Sequence, residues 1–296
     1  MDIFGVPIQA LLGQVLIGLI NGGFYAILSL GLALIFGLLN IINFAHGALY
    51  MLGAYLAFTL INIAGMPFWA ALILAPIGVA ILAVIIDRVL LRFIYSRDVA
   101  DSLLLTFAIL LIINESVRMI WGSGIHVVQP PDLLSGSVQL LGSSVATYSL
   151  FVIVIGLLLL AGLWYLFNRT RVGRIMRAAA LDRDMAEALC INTRLVVTGV
   201  FAFGAWLAAV GGVMAAPMRA LDPGMGDKII IESFIVVVIG GLGSFPGALL
   251  GAIILGLIHG FGGRYLPEVN LLLPFVGMAL VLLFKPNGMM GKGANA

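Results

Sequence analysis

Apolar runs at residues 10–29, 68–87, 102–121, 148–167, 195–216 and 271–285 dominate this chain. Runs of this kind fit the roughly 20 residues that a helix needs to cross the hydrocarbon of a bilayer. Two longer tracts, 30–64 and 231–262, exceed one span of ordinary tilt. The first is interrupted by Asn40-Ile-Ile-Asn43-Phe-Ala-His46-Gly47, the second by Gly240-Gly-Leu-Gly-Ser-Phe-Pro-Gly247. Each reads as two short segments, which predicts an all-α integral membrane protein of about ten transmembrane or partial-span helices. The composition leaves no soluble alternative. Of 296 residues, 62% are hydrophobic and 9% charged, far below the quarter that a soluble domain carries. The lone Cys190 cannot form an internal disulfide. Asp2 and the absence of Lys or Arg before Pro7 make the first run a permanent span rather than a cleaved signal.

The basic residues orient these segments. Arg88, Arg92 and Arg97 follow the fourth, Arg169 through Arg194 follow the sixth, and the loop from Gly122 to Thr147 has no Lys or Arg. Positive loops stay in the cytoplasm, so ten crossings put both termini inside. Counting each broken tract as one span moves the carboxyl tail outside. The net charge of +2 sits in these loops, a membrane pattern and not that of a nucleic-acid binder.

Glycine at four-residue spacing, as in Gly18/Gly22, Gly247/Gly251 and Gly256/Gly260, predicts close helix packing within the chain. The two breaks carry more meaning, because non-helical backbone at membrane depth survives only beside protein or a water-filled path. Both lead into Gly-Ala-Leu, at Gly47 and Gly247, which fits an internal repeat or two unrelated hairpins. Asn40, Asn43 and His46 of the first break, with Gly243, Ser244 and Pro246 of the second, are the candidates for a translocation path. For His46 a helix-end turn is the competing account. Asn21 and Asn114 are expected to bond between helices, and Glu115 to pair with Arg118. Glu232, Asp222, Asp227 and Lys228 read as an interfacial cluster.

No metal-ligand spacing joins the three histidines, and no nucleophilic Ser has a base beside it. Gly288-Met-Met-Gly291-Lys292-Gly293 lacks the spacing and hydroxyl of a phosphate-binding loop. ATP, if used, is therefore hydrolysed on another polypeptide. The segment 168–194 alternates Arg with helix formers, and Asp184 followed by Glu187 predicts a capping box opening a second short helix. Two such helices would present Ile175, Met176, Leu181, Met185 and Leu189 to a docking groove. Attachment to anionic lipid is the alternative.

Gly18 through Gly31, continuing into Asn40–Gly47, resembles the most characteristic block of the permease subunits of branched-chain amino acid ABC importers, LivH type. Val238 through Ala248 resembles their second signature. The loop with Gly173-Arg174, Arg177-Ala178, Asp182 and Ala188–Asn192 resembles their coupling segment. The resemblance covers nearly the whole chain and implies a single membrane-embedded domain, 1–296, with a type II importer-like fold. It implies a passive pore half without catalysis or cofactor of its own. Its expected partners are a second, LivM-like permease, two cytoplasmic ATPases carrying ATP and magnesium, and a periplasmic solute-binding protein, in the bacterial inner membrane. Residues 174–192 would couple to the ATPases, with Arg174, Arg177, Ala178, Asp182, Asp184, Glu187 and Leu189 carrying the contact. Cys190 stands where the family usually has Gly, which puts the local turn in question. Branched-chain or related small amino acids are the implied solutes. Urea, amides and aromatic or short-chain carboxylates remain open, as does a self-sufficient secondary transporter or channel, although no deep carboxylate for ion coupling is evident.

Overall fold

The computed structural model describes residues 2–3, 6–39, 41–95, 97–140 and 143–291, so Asn40 and Lys292 lie outside the described residues. The helices are α1 (Ile8–Leu39), α2 (Ala45–Phe58, extended by a π turn over Thr59–Ile63), α3 (Phe68–Val89), α4 (Val99–Trp121), α5 (Thr147–Arg169), α6 (Arg171–Leu181), α7 (Arg183–Ala188), α8 (Thr193–Ala215), α9 (Met225–Gly240), α10 (Phe245–Tyr265) and α11 (Leu273–Phe284). Strands occur only as short hairpins among the described residues, β1 (Asp2–Ile3) with β2 (Val6–Pro7), and β3 (Ser137–Leu140) with β4 (Ser143–Ala146). Among the described residues seven helices are long and apolar enough to cross a membrane, α11 is a shorter apolar helix, and α9 spans 16 residues with Asp227, Lys228 and Glu232 in its first half.

One expected boundary is corrected. Residues 10–29 and the start of the tract 30–64 are not two segments but the single 32-residue helix α1. Nothing between Ser29 and Leu39 breaks a helix, and Gly31 fits inside it because its missing side chain admits the Gly204 carbonyl of α8 and the His46 ring. The second tract does divide, at Gly241 to Ser244, where Gly241 (φ 104°) and Gly243 (φ 76°) take left-handed conformations.

Helices α1, α2, α8, α9 and α10 form the buried centre, joined by glycine contacts that let backbones touch. A Cβ on Gly256 would stand 2.3 Å from the Gly18 carbonyl oxygen and 2.4 Å from the Gly22 nitrogen, so Gly18/Gly22 and Gly256/Gly260 serve packing of α1 against α10, while Gly247 and Gly251 pack on Gly240 and Val236 of α9. These two helices run antiparallel, with Gln14 beside Gly260 and Gly37 beside Gly243. Around the centre, α3, α4, α5 and α11 turn Ile81, Ile112, Leu158 and Leu283 outward, an apolar rim suited to lipid or another membrane chain.

The connections sort into two ends. The turn after α1, helices α6 and α7, and the residues following α11 lie at the end rich in arginine. Leu38 and Leu39 adjoin Met176 and Ala179 there, and the Met289 and Met290 amides bond the Ile239 and Gly240 carbonyls. At the other end the arginine-free loop meets the segment before α9 through paired backbone hydrogen bonds between His126 and Leu221 (3.0 and 2.9 Å).

Candidate functional site

The first break places two helix beginnings inside the protein. His46, in the first turn of α2, donates from Nε2 to the Leu28 carbonyl of α1 at 3.0 Å. Leu28 lies eleven residues before the end of α1, so α1 runs on about 16 Å past the level at which α2 starts. Gly47 packs in turn against Gly226 in the first turn of α9. Helices α2 and α9 thus begin side by side at depth and leave in opposite directions, as discontinuous helices do beside a transport path. The Gly-Ala-Leu motifs both sit at helix openings after a break, and both pack on α9, one at its start and the other against Gly240 at its end.

Between the break and α9 lies a cavity of about 190 Å³ lined by Leu32, Phe36, Ile42, Phe44, Phe234 and Met278, together with Asn43. Its backbone wall is pinned by Thr106, whose Oγ1 accepts from the Phe44 amide (3.3 Å) and donates to the Ile42 carbonyl (3.2 Å). Asn43 is 1% exposed, and neither end of its amide has a hydrogen-bond partner among the described residues. Leaving such a group unpaired costs about 1–3 kcal/mol, which is unusual for a residue that only closes a turn. His46 Nδ1 and Ser29 Oγ are likewise buried without partners among the described residues. His46 therefore opens a helix, as the helix-end account expects, and also carries an unused acceptor.

Gly243, Ser244 and Pro246 are not brought to this cavity. They form the turn beyond Leu242, which does line it, and Ser244 Oγ caps α10 by accepting from the Gly247 amide at 3.2 Å. Gly288 and Gly291 close on Gly241 at the same turn.

The basic segment folds into the two short helices expected. Thr170 opens α6 by accepting from the Gly173 amide (3.2 Å), and Gly173 is hemmed by the Phe167 and Leu166 carbonyls, 2.4 and 2.5 Å from where a Cβ would stand. Arg177 donates back to the Phe167 carbonyl, tying α6 to the end of α5. The cap of α7 is corrected: Asp182 accepts from the Met185 amide at 2.9 Å, while Asp184 lies in the first turn, where its charge suits the helix dipole. Met176 is buried against Phe167, Leu34 and Val200, so it anchors the segment and is unavailable to a docking groove. Arg174, Ile175, Leu181, Met185 and Leu189 are exposed, Leu181 at 87%, and Ala178 is half-buried. Thr193 at the start of α8 donates to Glu187, linking α7 to a central helix.

Cys190 keeps the left-handed turn at φ 61°. The Ile191 amide bonds the Ala186 carbonyl (3.0 Å) and the Cys190 amide bonds the Glu187 carbonyl (2.9 Å), the paired bonds that close a helix at a left-handed residue. The turn that glycine would ease is therefore retained, with a strain of about 1–2 kcal/mol for the side chain.

Of the remaining polar residues, Asn114 does bond between helices, to Asp227 Oδ1 (2.8 Å), and Glu115 pairs with Arg118 (3.5 Å) on an exposed face. Glu232 reaches His259 on α10 (3.6 Å), a contact 27 residues apart that no local pattern announces. Arg219, stacked on Phe24 and Tyr25, is the residue sequence reasoning passed over. The signal was a cation placed between the apolar tracts and outside every basic loop.

A ring of apolar helices around a core with two helices beginning at depth defines a multi-span membrane transport protein. Residues 14–282 match the family described as branched-chain amino acid transport system / permease component, and the chain belongs to that family. It is 31% identical to the high-affinity branched-chain amino acid transport system permease protein BraD of Pseudomonas aeruginosa, over 95% of this chain and 96% of that protein. It is also 31% identical to the permease protein LivH of Salmonella typhimurium over 70% of this chain and 69% of the relative. The fold is similar to a chain in the structure of PsaBC from Streptococcus pneumoniae in complex with Fab, with a TM-score of 0.52, 13% identity and 92% of each chain covered. The relatives named here are transport permease proteins and not enzymes.

Proposed function

We propose that this chain forms one half of the translocation path of an ATP-driven importer for branched-chain or related small amino acids. A second permease supplies the other half, cytoplasmic ATPases bind α6 and α7, and a solute-binding protein delivers at the opposite face. The observation that carries the path is Asn43, a buried amide with no partner among the described residues, on the wall of an otherwise apolar cavity. An apolar solute could pass such a wall, behind which the Asn43 amide stands unpaired among the described residues. Family membership and the names of BraD and LivH support the solute class. Asn43→Leu, which fills the same position without polar atoms, is expected to lower ATP-driven leucine uptake by about ten-fold in proteoliposomes while the complex still assembles. Uptake at the wild-type rate would remove Asn43 from the path.

The single helix α1 supports a different topology. Merging the first two expected segments leaves nine helices among the described residues as candidate crossings, α6 and α7 excepted, which favours a start of α1 and an end of α11 on opposite faces instead of together. With the arginine-rich end in the cytoplasm, the carboxyl end is cytoplasmic and the start of α1 faces outward. A cysteine at Asp2→Cys, in a Cys190→Ser background, should react with an impermeant maleimide added outside spheroplasts. Labelling only after lysis would restore the arrangement with both ends inside.

A further inference from the structure

Arg219 lies on the non-helical segment between α8 and α9, among helices and away from both basic loops. Its guanidinium stands 4.7 Å from the Phe24 ring centroid and 5.9 Å from that of Tyr25. No carboxylate among the described residues comes within ion-pair distance of it. The nearby acids are engaged elsewhere: Asp222 with Lys228 (3.5 Å) and the Gly224 amide (2.9 Å), Glu232 with His259 (3.6 Å). The Tyr25 hydroxyl interacts with both Arg219 and Glu232.

A guanidinium resting on aromatic faces keeps its edge donors for a planar acceptor, which a carboxylate fits with two parallel bonds. Besides the Tyr25 hydroxyl, Glu232 meets an imidazole at 3.6 Å, whose Nε2 has no hydrogen-bond partner among the described residues, so the carboxylate is open to a stronger cation. Both side chains retain access, Arg219 being exposed and the Glu232 side chain 23% exposed. The pair thus offers one positive group without an ion-paired carboxylate among the described residues and one weakly engaged negative group, both in reach of the Tyr25 hydroxyl. A ligand with a single charge would satisfy one of them and leave the other.

We propose that Arg219 and Glu232 form a station for the zwitterionic head group of an α-amino acid, the carboxylate on Arg219 and the ammonium on Glu232. The proposal rests on the reading of this chain as an amino-acid permease and adds where and how the head group is held. The test uses the purified complex of this chain with its permease partner and ATPases, without the solute-binding protein. Thermal midpoints are measured with millimolar leucine, leucinamide (which lacks the carboxylate) and 4-methylpentanoate (which lacks the ammonium), since a ligand binding only the folded state raises the midpoint. Leucine should bind about ten-fold more tightly than either analogue, a difference worth about 1.4 kcal/mol. Arg219→Gln should erase the preference over leucinamide, and Glu232→Gln the preference over 4-methylpentanoate. Equal shifts from all three probes, no shift from leucine, or preferences that survive both substitutions would overturn the station. Arg219→Lys covers the case in which the Gln variant does not assemble. It keeps the charge without the planar fork, so the preference over leucinamide should fall about three-fold, and an unchanged preference would count against the proposal. ATP-driven leucine uptake by the wild-type complex, with its binding protein, is read separately. Its failure would strike the assignment of function and not the head-group contact.

Discussion

Arg177→Glu is expected to cut ATP-driven uptake at least about ten-fold while the complex continues to assemble and hydrolyse ATP. Arg177 is the clasp of the α5–α6 corner, its guanidinium donating to the Phe167 carbonyl. A hydrogen bond to a charged group contributes about 1.5–3 kcal/mol, and the substituted carboxylate would face that carbonyl with no donor to offer. Helix α6 would then lose its fixed angle to α5, although buried Met176 still holds it to the core. Since α7 reaches α8 through Glu187 and Thr193, a segment pushed by an ATPase moves the central helices only if that angle is rigid. Exposed Arg174, one turn earlier, makes no comparable clasp among the described residues, so Arg174→Glu should act more weakly. Coupled uptake at the wild-type rate in Arg177→Glu would show that the clasp plays no part in coupling. Loss of ATP hydrolysis together with uptake would point to a docking contact in place of a transmitting corner.

Gly256→Val is expected to abolish accumulation of the folded chain. Its Cβ would stand 2.3 Å from the Gly18 carbonyl oxygen and 2.4 Å from the Gly22 nitrogen, and both obstacles are backbone. Flexible side chains yield to an inserted methyl group, but here α1 and α10 must separate, at a cost of about 3 kcal/mol or more. That is a large share of the 5–15 kcal/mol that holds a typical protein together. Gly199→Val on α8 is the control, since nothing lies within 4 Å of a Cβ there. Size-exclusion profiles of the detergent-solubilised chain should show Gly199→Val at the wild-type position and amount, and Gly256→Val aggregated or lost. Equal profiles would mean that the α1–α10 contact is looser than the structure has it.

Membrane residence, the helical class and the glycine packing were legible because each rests on local composition or a fixed spacing. The basic segment was legible for the same reason, down to two short helices in the right place. Its cap was assigned to Asp184 and not Asp182 because both residues can cap, and only the backbone conformation of Asp182 (φ −150°, ψ 104°) decides. Merging of the first two segments into α1 was not legible. A 32-residue helix exceeds the length that one span needs, and only the structure shows the His46 ring and the Gly204 carbonyl filling the place of a Gly31 side chain. Asn43 and His46 drew notice as polar groups in the first break, and Gly243, Ser244 and Pro246 as members of the second, which the structure places at the turn that opens α10. The contacts of Glu232 with His259 and of Arg219 with Phe24 join residues far apart in the chain, and one sequence holds no record of such meetings.

The measurement that bears most directly on the account is uptake of radiolabelled leucine by proteoliposomes holding this chain with its permease partner and ATPases, and supplied with the solute-binding protein. Accumulation that requires ATP inside the vesicles, and stops when either the ATPases or this chain is left out, is the predicted result. Accumulation by this chain alone under an ion gradient, without ATP, would contradict it and leave α6 and α7 without their assigned role.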